Sequence, residues 1–259
     1  MKPSVKILVF SGYGINCEEE TKLAFHRSGG IARIGHINDI IEGRFRLSDY
    51  QILAIPGGFA YGDDTGSGNA YAVKIKNHLL ENLTDFISKD KLLIGICNGF
   101  QILTRLGIFP ETVLMHNKNA RYTVRWVDLK VNNRSVWLKG IKDISLPIAH
   151  GEGKFYSTGK TVSKLLKTGQ IALKYVKGDN CRFFNLEANP NGSLMSIAGI
   201  TDISGRILGL MPHPERAQYF HQLPNYTYLK EFYLRQGREI PSYGPGLKIF
   251  QNAVNYFSS

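Results

Sequence analysis

The segment that most narrows what this chain can fold into is Gly95-Ile96-Cys97-Asn98-Gly99-Phe100-Gln101, set directly behind the apolar run Leu92-Leu93-Ile94. A short buried strand that breaks at a cysteine and then opens a helix over residues 100–106 predicts a nucleophile elbow. Such a turn exposes one side chain at the carboxyl end of a strand. The flanking glycines allow a tight turn and a close approach of substrate. The positive end of the following helix favours negative charge on the thiol. In isolation a cysteine behind a strand is more often just a small core residue, so the rest of the chain has to decide.

Upstream, residues 6–10 form a buried apolar run closed by the turn Ser11-Gly-Tyr-Gly14, and a helix is expected over 17–28 with the acidic first turn Glu18-Glu19-Glu20. Strands are predicted at 31–37, 51–55 and 92–96, and a helix at 70–83 with another turn or two before Lys89. This alternation predicts an α/β fold with a parallel sheet and helices on both faces. After Phe109-Pro110 the pattern changes to paired strands at 122–131 and 135–138, then 146–149 and 171–176. A hairpin at 196–201 and 206–211 and a closing helix at 247–257 complete the reading. No linker, repeat or low-complexity stretch interrupts the 259 residues, which predicts one domain over 1–259.

Three cysteines, Cys17, Cys97 and Cys181, are too few and too scattered for a disulfide framework, and no CxxC pair suggests zinc. That points to a reducing cytoplasm, where the sequon Asn133-Arg134-Ser135 is incidental. Met1-Lys2-Pro3 leads towards a strand rather than a signal-peptide block, and no apolar run reaches the length of a membrane span. The formal charge of +11 admits an anionic ligand or an acidic partner. The basic residues are dispersed and carry no nucleic-acid signature, so nucleic-acid binding is not expected.

Three further segments carry chemistry. In Met211-Pro212-His213-Pro214-Glu215-Arg216 each proline drives the residue before it into an extended conformation, so His213 and Glu215 share a face. An imidazole with a carboxylate beside it supplies a proton acceptor for a thiol and fixes its tautomer. The glycine turn Pro56-Gly57-Gly58-Phe59-Ala60-Tyr61-Gly62-Asp63 ends the strand expected beside the nucleophile strand, where backbone N–H groups suit an oxyanion. Ala149-His150-Gly151-Glu152-Gly153-Lys154-Phe155 offers contacts to a polar substrate, with His150 read as a hydrogen-bonded structural residue or as a second base. Gly153 to Thr161 imitates a phosphate-binding loop but has one residue too many between its glycines.

In this order the pieces resemble the class I, triad-type glutamine amidotransferases, and among them the glutaminase subunits of phosphoribosylformylglycinamidine synthases. The motifs that carry the likeness are Pro56–Asp63, Gly95-Ile-Cys-Asn-Gly-Phe-Gln-Ile-Leu103, His150-Gly-Glu-Gly-Lys-Phe155 and Met211–Arg216. The resemblance implies a flavodoxin-like three-layer open mixed sheet, mostly parallel. It implies Cys97 as nucleophile, His213 as general base and acid, and Glu215 as the carboxylate that orients it. Backbone N–H groups of Gly58 and Asn98 would form the oxyanion hole, and Gly57, Gln101, Gly151 and Glu152 would contact L-glutamine. No metal or organic cofactor is implied in this subunit. ATP and Mg belong to a large synthetase partner that makes formylglycinamidine ribonucleotide, with a small accessory subunit beside it. The stretch 217–246 is longer than the family pattern and rich in aromatics, so it reads as an insertion. Other readings stay open at this point: a glutaminase for another synthetase, a cysteine peptidase or thiol hydrolase of the same layout, or a non-catalytic binding subunit. Of the three cysteines, only Cys97 is expected to matter for hydrolysis.

Overall fold

The computed structural model describes residues 4–132 and 134–258. The first three residues and Asn133 of the sequon lie outside that set. The chain runs β1 (Lys6–Ser11), α1 (Glu18–Arg27), β2 (Ile31–His36), α2 (Ile37–Ile41), β3 (Ile52–Ile55), α3 (Asn69–His78), α4 (Leu80–Ser88), β4 (Leu92–Ile96) and α5 (Asn98–Arg105). It continues through β5 (Thr112–Met115), β6 (Thr123–Val131), β7 (Asp143–His150), β8 (Lys154–Ser157), α6 (Gly159–Lys167), β9 (Ile171–Val176) and α7 (Asp179–Phe183). The last elements are β10 (Ile197–Thr201), β11 (Ile207–Leu210), α8 (Tyr226–Arg235) and α9 (Leu247–Ser258).

One nine-stranded sheet has the order β2-β1-β3-β4-β11-β10-β9-β6-β7. The strands from β2 to β11 are parallel, and those from β10 to β7 are antiparallel to their neighbours. Strands β3, β4 and β11 are buried along their whole length, which is why they read as unbroken apolar runs. From β1 the strand order runs one way to β2 and the opposite way to β3 and β4. Right-handed crossovers therefore put α1 on one face and α3 on the other. Phe25 of α1 and Phe250 of α9 meet edge to face at 5.0 Å on the first face, and α3 packs against α5 on the second.

Several local expectations shift. The helix expected over 70–83 breaks at Leu79 (φ −129°, ψ 3°), so α3 and α4 are separate. Residues 135–138 are not a strand. Val136–Leu138 is a 3-10 turn that buries Trp137, whose Nε1 donates to the Arg206 carbonyl at 2.9 Å. β6 pairs instead with β7, over eight positions, and with β9 on its other side. The false phosphate loop is β8 running into α6, with the Thr158 hydroxyl accepting from Thr161 N at 3.2 Å as an N-cap. Within 217–246 lies α8, none of whose residues is buried. Among the described residues no helix is long and apolar enough to cross a membrane.

The closest approach in the sheet region is between α5 and β3, where a Cβ on Gly99 would run into the Ile55 carbonyl oxygen. A backbone atom cannot rotate away as a side chain can, so the contact demands glycine. Gly99→Ala is therefore expected to cost about 3 kcal/mol or more, the upper range for overpacking. Denaturant unfolding of the two proteins checks this, and equal midpoints and slopes would remove the argument.

Candidate active site

Cys97 stands between β4 and α5 with φ 51° and ψ −106°, a conformation that few side-chain-bearing residues adopt. The glycines beside it do not take up this strain. They allow close packing, Gly95 against Gly99 and Gly99 against β3, while the cysteine itself turns. The turn is held at both ends, with Cys97 N donating to Leu210 O of β11 at 2.8 Å and Gln101 N to Cys97 O at 3.1 Å. The side chain is 5% exposed, and its thiol makes a long 3.7 Å contact to the Ala149 carbonyl at the end of β7.

His213 and Glu215 follow β11, the strand beside β4. His213 N donates to Pro147 O of β7 at 2.8 Å, which pins the histidine between the two halves of the sheet. The pair is not on one extended segment, because Pro214–Arg216 forms a 3-10 turn. The outcome is the expected one: Nδ1 and Glu215 Oε1 lie 2.5 Å apart, and both side chains are almost wholly buried. Burial alone would discharge the ring. The Glu215 carboxylate and the thiols of Cys97 and Cys17 outweigh it and hold the pKa of His213 well above the ordinary histidine value. Nε2 is buried without a hydrogen-bond partner and so is available to a thiol.

The glycine turn after β3 comes to the same place. A Cβ on Gly57 would lie 2.7 Å from His213 Cε1. Gly58 has φ 158° and backs onto the first turn of the chain, where a Cβ would lie 2.7 Å from Ile15 Cα. A bulky residue there would displace the Gly14–Ile15 backbone as well as the loop, so it would report on folding and chemistry together. Asn98 opens α5, where the amide has no intrahelical acceptor. Its buried side chain ties the site together, accepting from Ala60 N at 3.1 Å and donating to Asp63 Oδ1 at 3.2 Å and to Gln101 Oε1 at 2.8 Å. Gln101 Nε2 in turn donates to the Glu152 carbonyl at 2.5 Å, and Glu152 Oε2 accepts from Ser67 N at 3.2 Å. The Asp63 carboxyl is pushed up, mainly by burial and also by Glu152 nearby. The structure thus brings Gly57, Gly58, Cys97, Asn98, Gln101, Gly151, Glu152, His213 and Glu215 into one region.

His150 is a buried neutral ring. Its Nδ1 pairs with Asn117 Oδ1 at 3.0 Å, and burial, reinforced by the positive His213, lowers its pKa to about 3. That excludes a charged role near neutral pH and favours the structural reading. Three neighbours escaped the sequence reading. Tyr122 lies across the approach, 5.8 Å from the Phe59 ring and against Gly151. Asn117 holds the turn after β7 by donating to His150 O and accepting from Gly153 N. Cys17, at the start of α1, sits beside His213 with a sulfur that accepts from Arg216 Nη2 at 2.9 Å. No local pattern marks it, because 196 positions separate it from His213. A cavity of about 650 Å³ lies elsewhere, between α8 and β6–β7, and is not lined by Cys97 or His213.

The model of the CobB/CobQ-like glutamine amidotransferase domain matches residues 2–257. Phosphoribosylformylglycinamidine synthase subunit PurQ of Methanococcus maripaludis is 50% identical over 265 residues, covering 98% of this chain and 97% of that protein. The subunit of the same name from Dehalococcoides mccartyi is 40% identical over 261 residues, covering 97% of each. Among solved structures, PurLQS from Thermotoga maritima contains a chain that superposes with a TM-score of 0.73 at 30% identity, covering 99% of both chains. A glutamine amidotransferase from Thermotoga maritima, 12% identical with a TM-score of 0.55, shares the fold.

The His150 geometry makes an acid-stability prediction. The unfolded ring titrates near 6.5 and the folded ring near 3. Between those values the unfolded chain binds the extra proton, so stability falls on acidification by up to about 1.4 kcal/mol per pH unit. His150→Gln keeps a donor for Asn117 but does not titrate, and it should lose less stability between about pH 6.5 and pH 4. Denaturant melts across that range for both proteins check it, and parallel curves would contradict it.

Proposed function

The chain belongs to the family of CobB/CobQ-like glutamine amidotransferases, and from that footing we propose how it works as the glutaminase subunit of a phosphoribosylformylglycinamidine synthase. The observation that carries the mechanism is the strained Cys97 turn whose thiol acts directly on the buried His213 of the His213–Glu215 pair. Cys97 Sγ, its proton already passed to His213 Nε2, attacks the carboxamide carbon of L-glutamine beside the positive ring. The oxygen of the tetrahedral adduct is held by the amides of Gly58 and Asn98. His213 returns its proton to the leaving nitrogen, the C–N bond breaks, and ammonia departs from a glutamyl thioester on Cys97. Water then attacks the thioester carbon, giving up a proton to His213, and glutamate and the free thiol are regenerated. Glu215 keeps Nδ1 protonated and stabilises the ring while it is charged.

Gly57, Gln101 and the Gly151–Glu152 turn line the glutamine site in this reading. The subunit itself needs no metal or organic cofactor. ATP, Mg and formylglycinamide ribonucleotide are bound by the large synthetase subunit, with a small accessory subunit completing the complex. Free ammonia would be protonated in water, so the hydrolysis is useful only when the synthetase receives it directly. Three free and buried cysteines suit a reducing cytoplasm.

Cys97→Ala is expected to abolish glutamate release by the complex, and His213→Asn to be nearly as damaging, because such groups act as a unit. Glu215→Gln should retain about a hundred-fold more activity than Cys97→Ala. A thiol-directed glutamine analogue should label Cys97 and leave Cys181 untouched. Full glutamate release by Cys97→Ala would refute the mechanism, and rapid cleavage of peptides in place of glutamine would favour a peptidase.

The second test concerns coupling. Glutamate release by the isolated chain is expected to be slow and to rise when synthetase, ATP and formylglycinamide ribonucleotide are present. Equal and rapid release in both conditions would indicate a free-standing hydrolase.

A further inference from the structure

Of the buried thiols that the mechanism leaves unused, Cys17 is the one beside His213. It lies on the turn before α1, and its backbone is fixed on both sides. Asn16 N and Cys17 N each donate to Gly57 O at 3.2 Å, and Cys17 O accepts from Thr21 N at 3.1 Å and Thr21 Oγ1 at 2.7 Å. The residue is 1% exposed. Its sulfur, a ring nitrogen of His213 and a carboxylate oxygen of Glu215 lie within 4.8 Å of one another. A Cβ on Gly57 would fall 2.7 Å from His213 Cε1 and 3.2 Å from Cys17 Sγ, so glycine, ring and sulfur fill one space with nothing between them.

Sulfur, imidazole and carboxylate together form a donor set that suits zinc. Two facts argue against a metal here. The guanidinium of Arg216 already donates to the sulfur at 2.9 Å, placing a positive charge where a dication would sit. His213 Nδ1 and Glu215 Oε1 are also only 2.5 Å apart, too close to admit an ion between them without separating the pair. Burial raises the Cys17 pKa despite the neighbouring His213 and Arg216, so the group is a neutral thiol rather than a second nucleophile.

What the sulfur does touch is the turn that carries the triad. Arg216 is the residue after Glu215, and it reaches back to α1 through Cys17 Sγ and through Glu20 Oε1 at 3.6 Å. Gln218 Nε2 makes the parallel connection, donating to Glu20 O at 2.9 Å and to Glu215 O at 2.8 Å. The start of α1 therefore clamps the 214–216 turn from outside. Glu215 holds the His213 ring at Nδ1, but one hydrogen bond leaves the ring free to tilt about its own axis. The Cys17 sulfur and Gly57 close that freedom from the side.

We propose that Cys17 is a positioning residue for His213. Its sulfur serves as a packing stop for the imidazole and as the acceptor that anchors Arg216, and together these keep Nε2 aimed at Cys97. This rests on the triad reading above and deepens it. It also revises the expectation that only one of the three cysteines matters to hydrolysis. Cys17 acts through the His213 ring and is not among the residues assigned to the glutamine site, so its effect is on turnover rather than on substrate affinity.

The test measures glutamate release by the full complex with synthetase, ATP and formylglycinamide ribonucleotide, across pH, for Cys17→Ala, Cys17→Ser and Arg216→Gln. Cys17→Ala is expected to lower kcat about ten-fold, less than the hundred-fold that an ångström of misplacement costs. Its KM should stay within about two-fold, since uniform binding is untouched. The limb of the kcat/KM pH profile that reports His213 should shift, because the ring no longer sits squarely on Glu215. Cys17→Ser restores an acceptor for Arg216 and should recover most of kcat and the parental limb. Arg216→Gln alters a half-exposed side chain and should lower kcat several-fold with the same shift, and it decides the matter if Cys17→Ala does not fold. A parental kcat and pH profile in Cys17→Ala, or in Arg216→Gln where the alanine variant is unfolded, would overturn the proposal. A loss in Cys17→Ala that serine fails to restore in a folded protein would overturn it too. Cys97→Ala run alongside separates the two readings. Activity there defeats the triad itself, whereas an inactive Cys97→Ala beside an unimpaired Cys17→Ala defeats only this inference.

Discussion

The constraint on which the rest depends is the left-handed backbone of Cys97. A side-chain-bearing residue held there costs about 1–3 kcal/mol, and such a conformation persists only where its surroundings over-determine it. The surroundings here are three parallel strands and a helix. Leu210 O on β11 takes the cysteine N–H, and α5 packs so closely on β3 that Gly99 has no room for a Cβ. All but the last residue of α5 is buried, so the helix cannot pivot to relieve the turn. The site loops depend on the same fixed point. Asn98, the next residue, draws the 60–63 loop and Gln101 together, and Gln101 draws in Glu152. Strain at one residue is thus stabilised by packing that also sets the geometry of the pocket.

Two buried histidines in the same neighbourhood carry opposite charge preferences, and their partners explain it. His213 faces a carboxylate at 2.5 Å, which outweighs the burial penalty. His150 faces a neutral amide oxygen at 3.0 Å, so burial prevails and its pKa falls to about 3. The second histidine therefore stays neutral where the first is held charged, and its neutrality avoids a second positive charge beside His213. Charging both would place like charges in a region of low dielectric, where their repulsion is strong.

The parts legible in the sequence are those whose causes are local. The apolar runs of β1, β3, β4 and β11, the strand-to-helix break at Cys97 and the proline-locked His213–Glu215 pair all announce themselves within a few residues. Even there the mechanism differs in detail, since the pair meets through a 3-10 turn and the strain falls on Cys97 rather than on its glycines. What stayed hidden depends on distant partners. Strands β5 and β8 are four residues each and, among the described residues, form a two-stranded sheet apart from the main one, so neither carries an alternating pattern long enough to read. Val136–Leu138 looks like a strand because Trp137 is apolar, yet its burial comes from packing beside Arg206 rather than from a sheet. Cys17 reads as an ordinary helix start, and only the fold brings it to His213. The amphipathic pattern of α8 is weak because none of its residues is buried.

The sheet divides its labour at β11. On one side, parallel strands β3 and β4 end at the same edge as β11 and deliver the glycine turn, Cys97 and His213 there. On the other, β10, β9, β6 and β7 run antiparallel, so β7 ends where β4 and β11 end and presents Ala149 and His150 to the thiol side of the pocket. Four successive antiparallel pairings separate β11 from β7, and because that number is even β7 regains the direction of β11 and its carboxyl end reaches the same edge. The chain extends from that end through the Gly151–Glu152 turn into β8 and back, which lets Glu152 meet Gln101 across the pocket while Pro147 accepts the His213 N–H. The even count of reversals therefore brings the 149–152 segment to the edge where Cys97 lies. The parallel half brings Cys97 and His213 to that edge, and the antiparallel half brings the Gly151–Glu152 turn to face them.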